Sequence, residues 1–201
     1  MARKPVPDAR DHILDVAARL FAEHGVHNVG LQQIIDEFGC GKSLLYREFP
    51  SKDDLIVAWL ERCRGSWDAM VAQSAASAPD PGDQLVGLVD AARREVASGS
   101  PIGCPIRNTR AEFPDPAHPA HQVSVAHLRA MRADIGVIAA RTGASDSERL
   151  ADRIMLIIDG LYTNGLALGA DGAASAAVDF ARDVVGSAVP APSGRRRSAA
   201  R

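Results

Sequence analysis

Apolar residues recur at steps of three and four along nearly the whole 201-residue chain, and no alternation at a period of two is sustained anywhere. That spacing puts them on one face of an α-helix and leaves no strand pattern, so the fold class it dictates is all-α. The first stripe is Ile13, Leu14, Ala17, Leu20 and Phe21, ended by Gly25, with Asp8 placed to cap its start. A second short helix is expected over residues 31–38, with Leu31, Ile34, Ile35 and Phe38 on one face. Gly39 and Gly41, flanking Cys40, interrupt it. A third, of about two turns, follows over 42–48, with Leu45 and Phe49 inward. Pro50 and Ser51 turn the chain, and Ser51 with Asp54 forms a capping box for a long helix carrying Leu55, Ala58, Trp59, Trp67 and Met70.

The loop at 78–83 precedes a helix expected over 84–97, with Leu85, Leu88, Val89 and Ala92 inward. After an irregular stretch at 98–104, a short helix reaches Phe113. Pro114, Pro116 and Pro119 mark a turn, and the next helix runs to about residue 142. Ser145 and Glu148 have the spacing of a second capping box, ahead of a broad stripe at Leu150, Ile154, Ile157, Ile158, Leu161, Tyr162 and Leu166. A turn at 169–172 leads to a last helix holding Ala177, Val178, Ala181, Val184 and Val185. The expected organisation is an N-terminal arm and three-helix head over 1–50, a larger helical body over 51–189, and a disordered basic tail over 190–201, with about nine helices in all.

With 23 Lys and Arg against 25 Asp and Glu, the net charge is −2, which excludes a uniformly basic nucleic-acid binder but not a local basic face. The three cysteines, Cys40, Cys63 and Cys104, are few and widely spaced, which is neither a disulfide framework nor a zinc pattern and implies a cytoplasmic protein. No apolar segment follows the opening MARKPVPDAR, so no leader peptide is expected, and no apolar run nears the roughly 20 residues of a membrane span. There is no nucleophile elbow, metal motif or glycine-rich phosphate loop, so no enzyme and no cofactor is expected. Cys104, between Gly103 and Pro105, and the histidines are the candidates for the enzymatic alternative, and Cys104 lacks a local base. His118, His121 and His127, with Glu112 nearby, raise a metal alternative. Pro119 crowds the first pair and no second ligand set is apparent, so solvated histidines and no metal are expected.

Two short helices joined by a glycine-containing turn have the form of a helix-turn-helix. The second is too short to be stable alone and must be held by the two before it. Its size fits the major groove, with its N-terminal half against base edges. The run GCGKSLLYREFPSK at 39–52, with Ile13, Leu14, Ala17, Leu20, Phe21, Gly25 and Ile34 in register upstream, resembles the signature of the TetR family of bacterial transcriptional regulators over about residues 8–60. Gly103, Cys104 and Pro105, with Asn108, Glu112, His118 and Pro119, resemble a subgroup pattern of that family.

The resemblance implies a ligand-responsive repressor that binds double-stranded DNA as a homodimer and is released from a palindromic operator by a small molecule. The same head serves activators and architectural binders, so the sign of regulation stays open. By position, Lys42 opens the recognition helix and meets a phosphate or a base edge, Ser43 and Leu44 face the groove, Tyr46 and Lys52 meet phosphates, Arg47 lies at the groove edge, and Gln32 and Gln33 lie near the DNA. Four residues depart from the family: Gly30 and Gly41 stand where Ser or Thr caps, Leu44 replaces Thr and offers a methyl contact, and Ile35 replaces Ala. Glu48 is a fifth, and it is expected to turn from phosphate or pair with Arg47. Arg3, Lys4 and Arg10 form an arm that either reaches the minor groove or stays solvated, and Arg195, Arg196 and Arg197 are expected to stay solvated. An effector pocket in the body is implied among Trp67, Met70, Ile102, Cys104, Asn108, Phe113, His127, Met131, Met155, Asp159 and Tyr162, and a dimer interface along the last two helices.

Overall fold

The structure, a computed structural model, describes residues 8–39, 41–98, 103–169 and 171–190. Among them are nine α-helices and no strand: α1 (Ala9–His24), α2 (Leu31–Phe38), α3 (Lys42–Glu48), α4 (Lys52–Ser77), α5 (Pro81–Ala97), α6 (Pro105–Glu112), α7 (Pro119–Ala140), α8 (Ser147–Leu168) and α9 (Ala177–Ala188), with a 3-10 turn at Ala173–Ala176 before α9. The all-α class with three short N-terminal helices is as expected. The described residues form two compact units that interleave in sequence, one holding those up to Ala69 and from Ser98 to Met131, the other holding Met70–Ala97 and those from Arg132 onward.

In the first unit, the α1 stripe of Ile13, Leu14, Ala17, Leu20 and Phe21 is buried throughout. It packs with Ile34 of α2, Leu45 of α3, Phe49, and Leu55, Ile56 and Leu60 of α4, all fully buried. The Phe21 and Trp59 rings meet near edge-on at 5.1 Å between centroids, a favourable aromatic geometry. Asp8 does not cap α1 as expected. Its backbone is left-handed (φ 59), whereas a capping residue is extended so that its oxygen reaches the first-turn N–H groups. At the start of α4 the expected capping box is present in half: Ser51 caps the first turn, and its hydroxyl, in place of its backbone N–H, is the donor to Asp54. Ser51 Oγ accepts from the Asp54 N–H at 3.1 Å and donates to Asp54 Oδ2 at 2.7 Å.

In the second unit, α5, α8 and α9 pack mutually. Leu85, Leu88 and Val89 of α5, Leu150, Ile154 and Ile158 of α8, and Ala181 of α9 are almost wholly buried. Close approach depends on Gly165, because a Cβ there would lie 2.0 Å from Val96 Cγ1. Helix α5 starts three residues before the expected 84, at Pro81. Proline suits a first helical position, and Asp80 Oδ1 accepts the N–H groups of Gly82 and Asp83 at 2.8 and 3.1 Å. Helix α8 is capped by Asp146, whose side chain accepts from the Arg149 N–H at 2.9 Å, and not by Ser145. Arg132 bonds Asp152 at 2.6 Å and Glu148 at 2.8 Å, and its hydrogen bond to Asp152 holds that carboxyl below its usual range. Among the described residues, no helix is long and apolar enough to cross a membrane.

Candidate nucleic-acid interface

Seven residues make α3, and their burial alternates sharply. Leu45, with Phe49 just beyond the helix, is fully buried and anchors the helix to α1 and α2. Lys42, Ser43, Tyr46 and Arg47 are exposed, and Leu44 is half-buried. A side chain every three to four residues toward the core thus leaves the other face, four of the predicted contact residues, directed at solvent. Gly41 is extended and offers no side-chain cap, so the first-turn N–H groups of α3 are covered by no side chain of their own cap residue. Gly30 does the same for α2. The turn between the helices passes through Gly39 and Gly41, and Cys40 lies outside the described residues.

The charges of this face are partly committed within the protein. Lys42 Nζ lies 5.6 Å from the Tyr46 ring centroid, one helical turn on. Arg47 donates twice to Glu48 Oε1, at 3.0 and 2.8 Å, which is the pairing expected for Glu48. Gln32 and Gln33 are exposed on α2, and Gln32 Nε2 donates to Asp36 Oδ1 at 2.8 Å. Arg10 belongs to α1 and not to an arm. Its guanidinium lies over the Phe49 ring at 4.3 Å and donates to the Glu48 carbonyl at 2.7 Å, so a cation closes the C-terminal end of α3. Arg3, Lys4 and the arginines at 195–197 lie outside the described residues.

Lys52 is half-buried and directed inward. Its ammonium donates to the His27 carbonyl at 2.8 Å. Burial lowers its pKa, against the raising influence of the Glu112 and Asp53 carboxylates. Glu112, the last residue of α6, accepts the His27 N–H at 2.6 Å. The two ends of one peptide residue in the α1–α2 turn are thus held by opposite charges from α4 and α6. Gly25 makes room for this: it adopts φ +80, and a Cβ there would meet the Glu112 carboxylate at 3.4 Å. The Phe113 ring lies 5.6 Å from the His27 ring and stacks on His118 at 4.5 Å. Sequence reasoning noticed Glu112 beside the histidines and in the subgroup pattern but not as a partner of the turn, because the bond to His27 joins residues 85 apart.

The histidines are not solvated as expected, since His121 and His127 are both buried. They do not converge either. His118 faces Asp53 at 3.5 Å, His121 Nδ1 bonds the Phe113 carbonyl at 2.9 Å, and His127 faces Glu61 at 3.3 Å. No group of three or more potential ligands for a metal ion occurs among the described residues. Of the residues proposed to hold an effector, Trp67, Cys104, Phe113, His127 and Met131 are buried in the first unit, where Asn108 is half-buried. Ser124, one turn before His127, is fully buried, and its Oγ and the His127 Nδ1 make no hydrogen bond. In the second unit Met70, Met155 and Asp159 are half-buried, and the buried Tyr162 donates to Glu95 Oε2 at 2.6 Å. Ile102 lies outside the described residues. The second unit also carries a groove of about 640 Å³ between α8 and α9, floored by Leu156, Ile157, Leu161, Phe180 and Val184, and it includes none of the predicted effector residues.

A short helix with a buried back and a polar front, preceded across a glycine turn by a second short helix, defines the helix-turn-helix class of regulators. Residues 13–59 match the family model of bacterial regulatory proteins, tetR family. A 60-residue stretch is 38% identical to an HTH-type transcriptional regulator of Staphylococcus aureus strain USA300, covering 30% of this chain and 32% of that protein. The chain therefore spans about a third of the length of the curated relatives it matches. Its fold is similar to that of a TetR-family transcriptional regulator from Streptomyces coelicolor, with a TM-score of 0.86 and 27% identity over 91% of this chain and 97% of the other. A TetR-family regulator from Cytophaga hutchinsonii shares the fold at a TM-score of 0.80 and 14% identity, over 94% and 100% of the two chains. Residues 13–59 thus carry the DNA-binding module of the TetR family, and the fold as a whole is similar to that of TetR-family regulators.

Proposed function

We propose that this protein is a cytoplasmic repressor that binds a palindromic operator as a homodimer and is released by a small-molecule effector. The observation that carries DNA recognition is α3 itself, rigidly backed by Leu45 and Phe49 while Lys42, Ser43, Tyr46 and Arg47 face outward. Lys42 and Tyr46 are assigned to phosphate, Ser43 and Leu44 to base edges, Arg47 to the groove edge, and Gln32 and Gln33 to the flanking backbone. Lys52 is assigned a phosphate as well, which requires it to share its proton donors with the His27 carbonyl. Residues 1–50 are assigned to DNA, and 51–189 to effector and dimerisation.

The dimer rests on the groove between α8 and α9, where Leu156 and Phe180 are 68% and 57% exposed although both are large and apolar. A second copy seated there pairs the last two helices about a twofold axis and sets two recognition helices about 34 Å apart, one turn of B-form DNA. The effector reading is supported by Ser124 and His127 of α7, buried groups whose Oγ and Nδ1 make no hydrogen bond within the protein. A ligand that prefers the non-binding state lowers DNA affinity by its differential affinity for the two states.

The test is selection of duplexes from a random pool with the full-length dimer, repeated against a panel of small molecules. Enrichment of a two-arm palindrome whose binding weakens with added salt is the expected result. Folded dimer that enriches no sequence overturns the proposal. Target transcription that falls on deleting the gene, and does not rise, reverses the sign to activation.

A further inference from the structure

We infer that Glu112 is a positioning residue for DNA recognition: together with Lys52 it clamps the His27 peptide and so fixes the orientation of the reading head on α6. The inference rests on the DNA-binding reading above and adds a route by which the body governs the head. Three observations carry it. First, the clamp is two-sided. Glu112 takes the His27 N–H at 2.6 Å and Lys52 gives to the His27 carbonyl at 2.8 Å, so the turn cannot slide along α6 without losing one bond or the other. Second, the turn is built for it. Gly25 supplies the φ +80 backbone and leaves space that a Cβ would share with the Glu112 carboxylate. Third, the contact continues into ring packing from His27 to Phe113 and from Phe113 to His118, the latter facing Asp53 at the start of α4.

Helix α6 has eight residues, with Cys104 just before the first, Asn108 midway and Glu112 the last. A helix of this length spans roughly 12 Å and joins Cys104, just before its first turn, to Glu112 in its last. The head itself does not depend on the clamp to fold, because Leu45 and Phe49 hold α3 from within. Loss of the clamp therefore leaves each head able to bind one arm of an operator while widening the spread of head-to-head spacings. Only the simultaneous binding of two arms suffers, since its advantage depends on a geometry fixed in advance.

Full-length Glu112→Ala and Glu112→Gln are compared with the parent in two measurements. In amide hydrogen exchange without DNA, His27 is expected to exchange roughly tenfold faster in Glu112→Ala, the loss of one charge-assisted hydrogen bond, and by less in Glu112→Gln, which keeps an acceptor. In gel shift, the duplex selected from the random pool is set against the same duplex with one arm scrambled. Affinity for the two-arm duplex is expected to fall roughly tenfold, with affinity for the single arm unchanged within about twofold. Unchanged exchange at His27 overturns the clamp. Equal losses on both duplexes overturn the positioning role and make Glu112 a stabiliser of the head. If Glu112→Ala fails to fold, Glu112→Gln carries the same comparison with a smaller effect. If the parent selects no duplex, the regulator reading fails, and the clamp is judged by exchange alone.

Discussion

At the scale of single residues, the front of α3 is a set of groups whose commitments differ. Tyr46 is 41% exposed and its hydroxyl is directed to no partner shown by the fold, so it is the residue best able to meet a phosphate. Tyr46→Phe should weaken binding to every duplex by a similar factor, roughly three- to tenfold, without changing which sequence is selected. A changed selected sequence would assign Tyr46 to base recognition. Glu48 acts in the other direction. Its carboxylate holds Arg47 by two hydrogen bonds and adds a negative charge beside the expected path of the phosphates. Glu48→Gln should raise affinity several-fold by freeing Arg47 and removing that charge, measured by gel shift at fixed salt. Weaker binding would show that the pair orients Arg47 for the groove. The roles of Leu45 and Phe49 were legible in the sequence because burial follows the three-and-four spacing. The roles of Arg10, Lys52 and Glu112 were not, since each bonds a backbone group far along the chain.

At the scale of helices, punctuation decided how much of the fold was visible beforehand. Helix α2 lies between Gly30 and Gly39 and α3 between Gly41 and Phe49, with the expected limits, whereas α5 begins a turn early because Pro81 looks like loop until Asp80 is recognised as its cap. The choice between Ser145 and Asp146 at α8 is one of a single residue, settled by which oxygen reaches the Arg149 N–H. On α7 the buried side carries Ala120, His121, Ser124, His127, Met131 and Ile135, so two of the histidines expected in solvent are buried. Two outcomes follow from the helix packing of the second unit. Gly165→Ala inserts a methyl where Val96 already stands and should destabilise the fold by about 1–3 kcal/mol in denaturant unfolding. An unchanged midpoint would mean that α5 and α8 separate freely. The Asp152 carboxyl is held low by Arg132, so the folded state binds fewer protons than the unfolded chain in acid. The stabilisation is present above the ordinary carboxylate range and is lost as pH falls through the lowered folded value. The melting-temperature gap between the parent and Asp152→Asn should close on acidification, and a gap that widens would reverse this sign.

At the scale of the whole molecule, the exposed apolar floor between α8 and α9 is the feature that a lone chain leaves unexplained. Phe180→Asp, alone or with Leu156→Asp, should convert the dimer to monomer in sedimentation and reduce affinity for a two-arm duplex by at least tenfold, while the helix content persists. A dimer that survives both changes places the interface elsewhere. The inward turn of Lys52 and the pairing of Arg47 with Glu48 have a broader consequence in a chain whose net charge is already −2. On the proposed reading, the charges already paired within the protein displace fewer counterions than a freely basic face would, so arbitrary sequence is held less tightly than it would be by such a face. Copies of this protein would spend more of their time between chromosomal contacts, searching by diffusion through the cell interior, and occupancy of a promoter would be decided by the bases read there.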